Sequence, residues 1–143
     1  VHFNSRDNAR TPMQWTAERH AGFTSGTPWL PVNENYRTLN AAAEEKDADS
    51  VLHFYRHLAK LRETIPALLD GVYEELLEEN EQIYAFSRTL GKTCIKTAVN
   101  FSTKDAALPA GFLRGMRLAG SYADAPTTSL RPLEAVIYEE EIQ

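Results

Sequence analysis

The opening of the chain holds more aromatic surface than it can cover by itself. Residues 1 to about 46 contain Phe3, Trp15, Phe23, Trp29 and Tyr36, and Pro12, Gly22, Gly26, Pro28 and Pro31 interrupt them. No helical or strand period runs through the segment. Structureless stretches of this length are uncommon inside a compact domain, and where they occur they often serve as lids or binding loops. Apolar rings must bury against something. This stretch offers no partner of its own, so it is expected to pack on a body missing from the chain.

The rest of the sequence is periodic. Over residues 48 to 65, Val51, Tyr55, Leu58, Leu61 and Ile65 recur at helical spacing, and Leu52 widens the stripe. Asp47 and Asp49 offer N-caps, Arg56, Lys60 and Glu63 fall on the polar side, and Pro66 closes the helix. From about residue 68 the pattern changes to short strands: Val72 to Leu77, Gln82 to Leu90, Lys92 to Phe101, Gly115 to Gly120, and Glu134 to Glu140. Gly91 marks a tight turn between the second and third. Ile83, Ala85 and Ser87 share one face, Tyr84, Phe86 and Arg88 the other. Short strands punctuated by turn residues predict a small antiparallel sandwich or barrel.

Composition narrows the partners. At 43% apolar and 24% charged the chain is in the globular range. Its net charge of -5, without a Lys/Arg cluster, argues against nucleic acid and against an anionic membrane surface. No apolar run approaches the ~18 residues of a membrane helix. The single cysteine, Cys94, cannot form an internal disulfide, which fits a reducing, cytoplasmic setting. In an apolar stretch without a neighbouring His, it reads as a small buried hydrophobe rather than a catalytic thiol. The start Val1-His2-Phe3-Asn4 does not read as a secretory signal, and without an initiator Met it reads as a cut from a longer chain.

The segment Ser5-Arg6-Asp7-Asn8-Ala9-Arg10-Thr11-Pro12-Met13-Gln14-Trp15 resembles a signature of the α-amylase superfamily, glycoside hydrolase family 13. The similar branch holds oligo-1,6-glucosidases, dextran glucosidases, related α-glucosidases, sucrose isomerases and trehalose synthases. Ala21-Gly22-Phe23-Thr24, Gly26-Thr27-Pro28-Trp29, Val32-Asn33 and Asn35-Tyr36 continue the likeness. Asp49-Ser50-Val51 through Leu61-Arg62 resembles the last barrel helix. Asn100-Phe101-Ser102 and Leu130-Arg131-Pro132 with Glu134-Ala135 look like landmarks of a C-terminal β domain. Thr16 departs from an acid common in that branch, Lys96 and Thr97 sit in a strand usually more apolar, and Leu133 replaces a common aromatic.

The resemblance implies an α+β fragment, mainly β: the loop and last helix of a (β/α)8 barrel, followed by an antiparallel C-terminal β-sandwich. Residues 1-67 would be the long loop after strand 8 plus helix 8, and residues 68-143 the β-sandwich domain. Active sites of such barrels lie on loops at the C-terminal ends of the strands.

A retaining glycosidase needs two carboxyl groups about 5 Å apart. In the resembled family these stand on earlier barrel strands, so no catalytic residue is expected in this chain. Arg10 is the leading substrate-binding candidate, because the resemblance implies an arginine of this motif beside the terminal glucose. A guanidinium is a rigid fork suited to adjacent hydroxyls and to a carboxylate across the pocket. Arg6, four residues earlier, could be the contact instead, and either arginine could simply brace the loop through ion pairs, with Asp7 for example. Trp15 and Trp29 read as loop packing before sugar stacking. His53 and His57 share a helix face but lack a third ligand, and Glu74, Glu75, Glu78, Glu79 and Glu81 lack the loop spacing of a calcium site, so no metal or cofactor is expected.

The expected function is that of an exo-acting α-glucosidase trimming α-1,6-linked isomalto-oligosaccharides and dextran, with this chain inactive alone. Its expected partners are an α-glucan oligosaccharide in the intact enzyme and the missing catalytic barrel. Two alternatives remain: glucosyl transfer of the sucrose isomerase or trehalose synthase kind, and a non-catalytic glucan-binding β module. An exposed aromatic row on one sheet face would support the last, with Tyr73, Tyr84 and Phe86 as candidates, although core packing would explain them as well. The isolated helix would expose its apolar stripe, so self-association through that face is also expected.

Overall fold

The computed structural model describes residues 6–142 with the exception of Thr127. The chain divides into two units, Val1–His57 and Leu58–Gln143.

Within the first unit the backbone folds by isolated turns. Three single turns of 3-10 helix, Arg6–Ala9, Arg19–Gly22 and Glu34–Arg37, precede a one-turn helix α1 (Ala41–Glu44). Three consecutive residues, His20, Ala21 and Gly22, adopt left-handed φ values of 55°, 57° and 66°. That bend buries Ala21 and turns its carbonyl toward the N–H groups of Trp15 and Thr16, which donate to it at 2.9 and 3.0 Å. The next link runs to α1. Ala41 and Ala42 donate their backbone N–H groups to Gln14 O and Trp15 O at 2.9 and 3.0 Å. The unpaired donors of a helix start are thus satisfied by the loop itself.

Helix α2 (Val51–Thr64) begins three residues later than its periodicity suggests, and neither Asp47 nor Asp49 caps it. The buried Ser50 does so: its Oγ accepts from His53 N at 3.3 Å. Glu44 adds a carboxylate, accepting from Leu52 N at 3.0 Å. Asp47 instead closes its own turn, accepting from Asp49 N at 3.0 Å. A hydroxyl and a carboxylate at the first turn satisfy two orphan donors and complement the helix dipole. Pro66 ends the helical run as expected, then starts the short α3 (Ala67–Asp70).

The second unit is built on a five-stranded antiparallel sheet. Its strands are β1 (Val72–Leu76), β2 (Ile83–Leu90), β3 (Thr93–Asn100), β5 (Met116–Gly120) and β7 (Ala135–Glu141), in the order β1-β2-β3-β7-β5. The β2–β3 hairpin pairs Leu90 with Thr93 across a two-residue turn in which Gly91 takes φ 59°. A second sheet holds only β4 (Ala106–Ala107) and β6 (Ser129–Leu130). The core lies between the two sheets: Ile83, Ala85, Ala98, Val136 and Tyr138 from the large one meet Ala106 and Leu130 from the small one, with Leu108, Phe112 and Leu113 packed beside them. Period-2 alternation produces this arrangement, because β2 sends Ile83, Ala85 and Ser87 inward and Tyr84, Phe86 and Arg88 outward. The expected antiparallel sandwich is therefore the fold of this unit. Cys94 is buried within it.

Candidate functional site

Arg10 follows directly on the first 3-10 turn, its backbone N–H donating to Asp7 O at 3.0 Å. The residue is exposed. Arg6 opens that turn, and its side chain lies outside the described residues. The segment after Arg10 is fixed by its own sequence. Pro12 is buried, and Gln14 spends its side-chain amide on Leu39 O. Leu39 is in turn held by Asn40, a buried side chain that donates to Tyr36 O and accepts from Ala43 N, both at 2.9 Å. Arg10 thus stands just ahead of a stretch of loop that is anchored from Pro12 onward. Such a mounting suits a guanidinium that must meet a ligand from one direction.

Thr11, Pro12, Met13, Gln14, Leu39 and Leu52 line a cleft of about 300 Å³ with Asn40, Ala41 and Glu44. Three of its polar side chains are engaged elsewhere: Gln14 with Leu39, Asn40 with the α1 start, Glu44 with α2. Glu45 is engaged with both terminal nitrogens of Arg56, one at 2.7 Å, and the Arg56 hydrogen bonds hold its carboxyl below the usual range. Neither carboxylate of α1 or its cap is placed to serve as a nucleophile or acid.

Trp15 is half exposed and Trp29 is 83% exposed. His53 Nε2 lies 3.1 Å from Glu45 O. Among the described residues, no group of three His, Cys, Asp or Glu side chains could hold a metal ion, and no helix is long and apolar enough to cross a membrane. Asn40 was missed at the sequence level, although an Asn directly before the Ala41-Ala42-Ala43 run is an N-cap signal. The three-residue left-handed bend had no such signal except Gly22.

In the second unit the structure brings Tyr73, Tyr84 and Phe86 together. The two phenol oxygens are 2.9 Å apart, and the rings of Tyr73 and Tyr84 lie 5.5 and 5.8 Å from that of Phe86. The Tyr84 hydrogen bond, burial and the nearby Glu75 and Glu78 together push the Tyr73 phenol up to about 12.

Comparison with known proteins gives these features a context. The alpha-amylase catalytic domain profile matches residues 1–71. The oligo-1,6-glucosidase of Parageobacillus thermoglucosidasius is 45% identical over 104 residues, which make up 73% of this chain and 18% of that protein. The isomaltulose synthase of Klebsiella sp. LX3 superposes with a TM-score of 0.86 at 40% identity, over 94% of this chain and 26% of that one. The trehalose-6-phosphate hydrolase of Bacillus licheniformis gives 0.85 at 32% identity, over 94% and 26%. The chain thus spans about a quarter or less of the length of these relatives. On these matches the chain belongs to the α-amylase family, glycoside hydrolase family 13, and resembles its oligo-1,6-glucosidases.

Proposed function

We propose that this chain is the C-terminal part of an exo-acting α-glucosidase that hydrolyses α-1,6 bonds of isomalto-oligosaccharides and dextran with retention. Residues 1–67 would complete the catalytic barrel with the loop after strand 8 and helix 8, and residues 68–143 would form its β-sandwich domain. The observation that carries this reading is the exposed Arg10, presented on a loop whose next residues are pinned by Gln14 and Asn40.

In a retaining mechanism one carboxylate attacks the anomeric carbon while a carboxylic acid protonates the leaving oxygen, and water then releases the glucosyl-enzyme. Both groups belong to the barrel portion outside this chain. The part played here is positional. The Arg10 guanidinium donates to hydroxyls of the terminal glucose and pairs with a carboxylate across the pocket, with Arg6 as the alternative contact. Holding the ring in one orientation lowers the barrier by fixing the near-attack geometry.

The isomaltulose synthase likeness favours one second reading, glucosyl transfer to a sugar instead of water. The choice of acceptor is made by loops outside this chain. Both readings predict that the purified 143-residue chain releases no glucose from isomaltose or an aryl α-glucoside. Grafting the chain in place of the matching segment of the Parageobacillus enzyme tests the first. Isomaltose should yield glucose whose new anomeric centre is initially α by NMR. Loss of activity in a folded graft would count against the reading.

The α2 stripe is the surface the barrel would cover, and Val51 and Tyr55 are both more than two-thirds exposed. Alone, the chain should therefore self-associate. Sedimentation as a monomer that binds no hydrophobic dye would contradict that. The buried, unpaired Cys94 supports a cytoplasmic location for the enzyme.

A further inference from the structure

We propose that the outer face of β1 and β2 is a platform for an α-glucan chain. The core occupies the opposite face of this sheet, so core packing does not explain the rings found here. Tyr73 and Tyr84 are 46% and 41% exposed, and Phe86 lies between them in contact with both rings. Tyr84 and Phe101, itself 69% exposed, both line a cleft of about 130 Å³. The three-ring row therefore has a fourth aromatic side chain at the cleft beside it.

The groups around the row select its ligand. Glu75, Glu78 and Glu81 line the cleft and have no ion-pair partner among the described residues, while the Gln82 amide stands between them and Ser102. Carboxylates that accept hydrogen bonds, set beside flat apolar faces, match a molecule with hydroxyl donors at its edge and C–H groups on its faces. Pyranose rings have that pattern. Phosphorylated or anionic ligands are repelled by the same carboxylates. The hydroxyl-to-hydroxyl bond of Tyr73 and Tyr84 fixes the two rings relative to one another, so little side-chain freedom is lost when a sugar docks. A binding surface usually concentrates its affinity in a few such rigid aromatic anchors.

The ligand class rests on the reading of the chain as part of a glucan-cleaving enzyme, but binding here requires no catalysis. The test uses the 143-residue chain in native gels cast with dextran. Migration should be retarded relative to albumin, with saturation as dextran rises. Tyr84→Ala should weaken the retardation roughly tenfold or more. Met116→Ala, an exposed side chain on β5, should leave it unchanged, and Tyr84→Phe, which keeps the ring but loses the hydroxyl bond to Tyr73, should weaken it less than Tyr84→Ala. A second measurement covers misfolding of the alanine variant. Nitration of the wild-type chain, mapped by mass spectrometry, should show Tyr73 and Tyr84 protected by dextran and Tyr55 not. Absence of retardation, equal nitration with and without dextran, or displacement of dextran by tetramethylammonium would overturn the proposal, the last by pointing to a cation in an aromatic cage. An inactive graft with undiminished dextran retardation would reject the catalytic reading and leave this one standing.

Discussion

Glu134 is a carboxylate with no exposed surface, and its surroundings explain how the fold tolerates it. Arg131 donates to it three times: from its backbone N at 2.8 Å, its Nε at 3.0 Å and its Nη2 at 2.7 Å. Arg131 also pairs with Asp124 at 2.9 Å and lies 3.9 Å above the Tyr122 ring. Burial pushes the Glu134 carboxyl up, but the Arg131 donors outweigh it and the net shift is downward. Replacing Glu134 with Gln should cost about 2 kcal/mol of unfolding free energy near neutral pH, since hydrogen bonds to a charged acceptor are lost in a dry site. The pH dependence follows from the lowered value. The stabilisation is complete above the unfolded carboxyl value, near 4.3, and disappears as pH falls through the folded one, so urea midpoints of the two proteins should converge in acid. Tyr73 behaves oppositely. Its phenol is raised to about 12, so its contribution is full below the unfolded value, about 10, and is lost as pH climbs toward 12. Tyr73→Phe should remove that alkaline loss in a melting series. The sequence marked Arg131 and Glu134 only as family landmarks, not as a contact. That contact is made across a turn, with Leu133 at φ 57°, and turns carry no period to read.

At the scale of elements, legibility followed length. Strands of five or more residues and the apolar stripe of α2 were visible because several side chains repeat the same spacing. The β2–β3 hairpin was visible from one glycine: Gly91 takes a left-handed φ with open space around it. The strands β4 and β6 have two residues each, too few for alternation to register, yet they supply Ala106 and Leu130 to the core. The start of α2 was misplaced because Asp47 and Asp49 have the right chemistry for a cap, while Ser50 has both the chemistry and the position. Ser50→Ala should cost about 1 kcal/mol, read as a lower thermal midpoint. Gly115 is more demanding, because a Cβ there would lie 2.0 Å from Glu139 O on β7, at a φ of 84°. Gly115→Ala should destabilise by more than about 1 kcal/mol, whereas Gly91→Asn should be nearly neutral. A tolerant Gly115 in urea unfolding would mean that β5 and β7 separate more easily than their register implies.

For the molecule as a whole, the sequence showed uncovered aromatic surface before it showed a fold. The opening segment carries exposed rings and an exposed Arg10, while Glu44 and Glu45 are engaged with α2. Composition and period could reach that point. The sugar pocket could be reached only through the likeness of residues 5–15 to a family motif, because a guanidinium by itself does not specify its ligand. The central claim is that Arg10 touches glucose in the assembled enzyme. It is tested most directly by kcat/KM for isomaltose in the graft with the Parageobacillus barrel, comparing Arg10→Ala and Arg6→Ala with the unmutated graft. The account predicts a loss of about 100-fold or more for Arg10→Ala, roughly 2.7 kcal/mol of transition-state binding, with the melting temperature unchanged. A graft that keeps its full kcat/KM without the Arg10 guanidinium, or loses activity only because it unfolds, would contradict it.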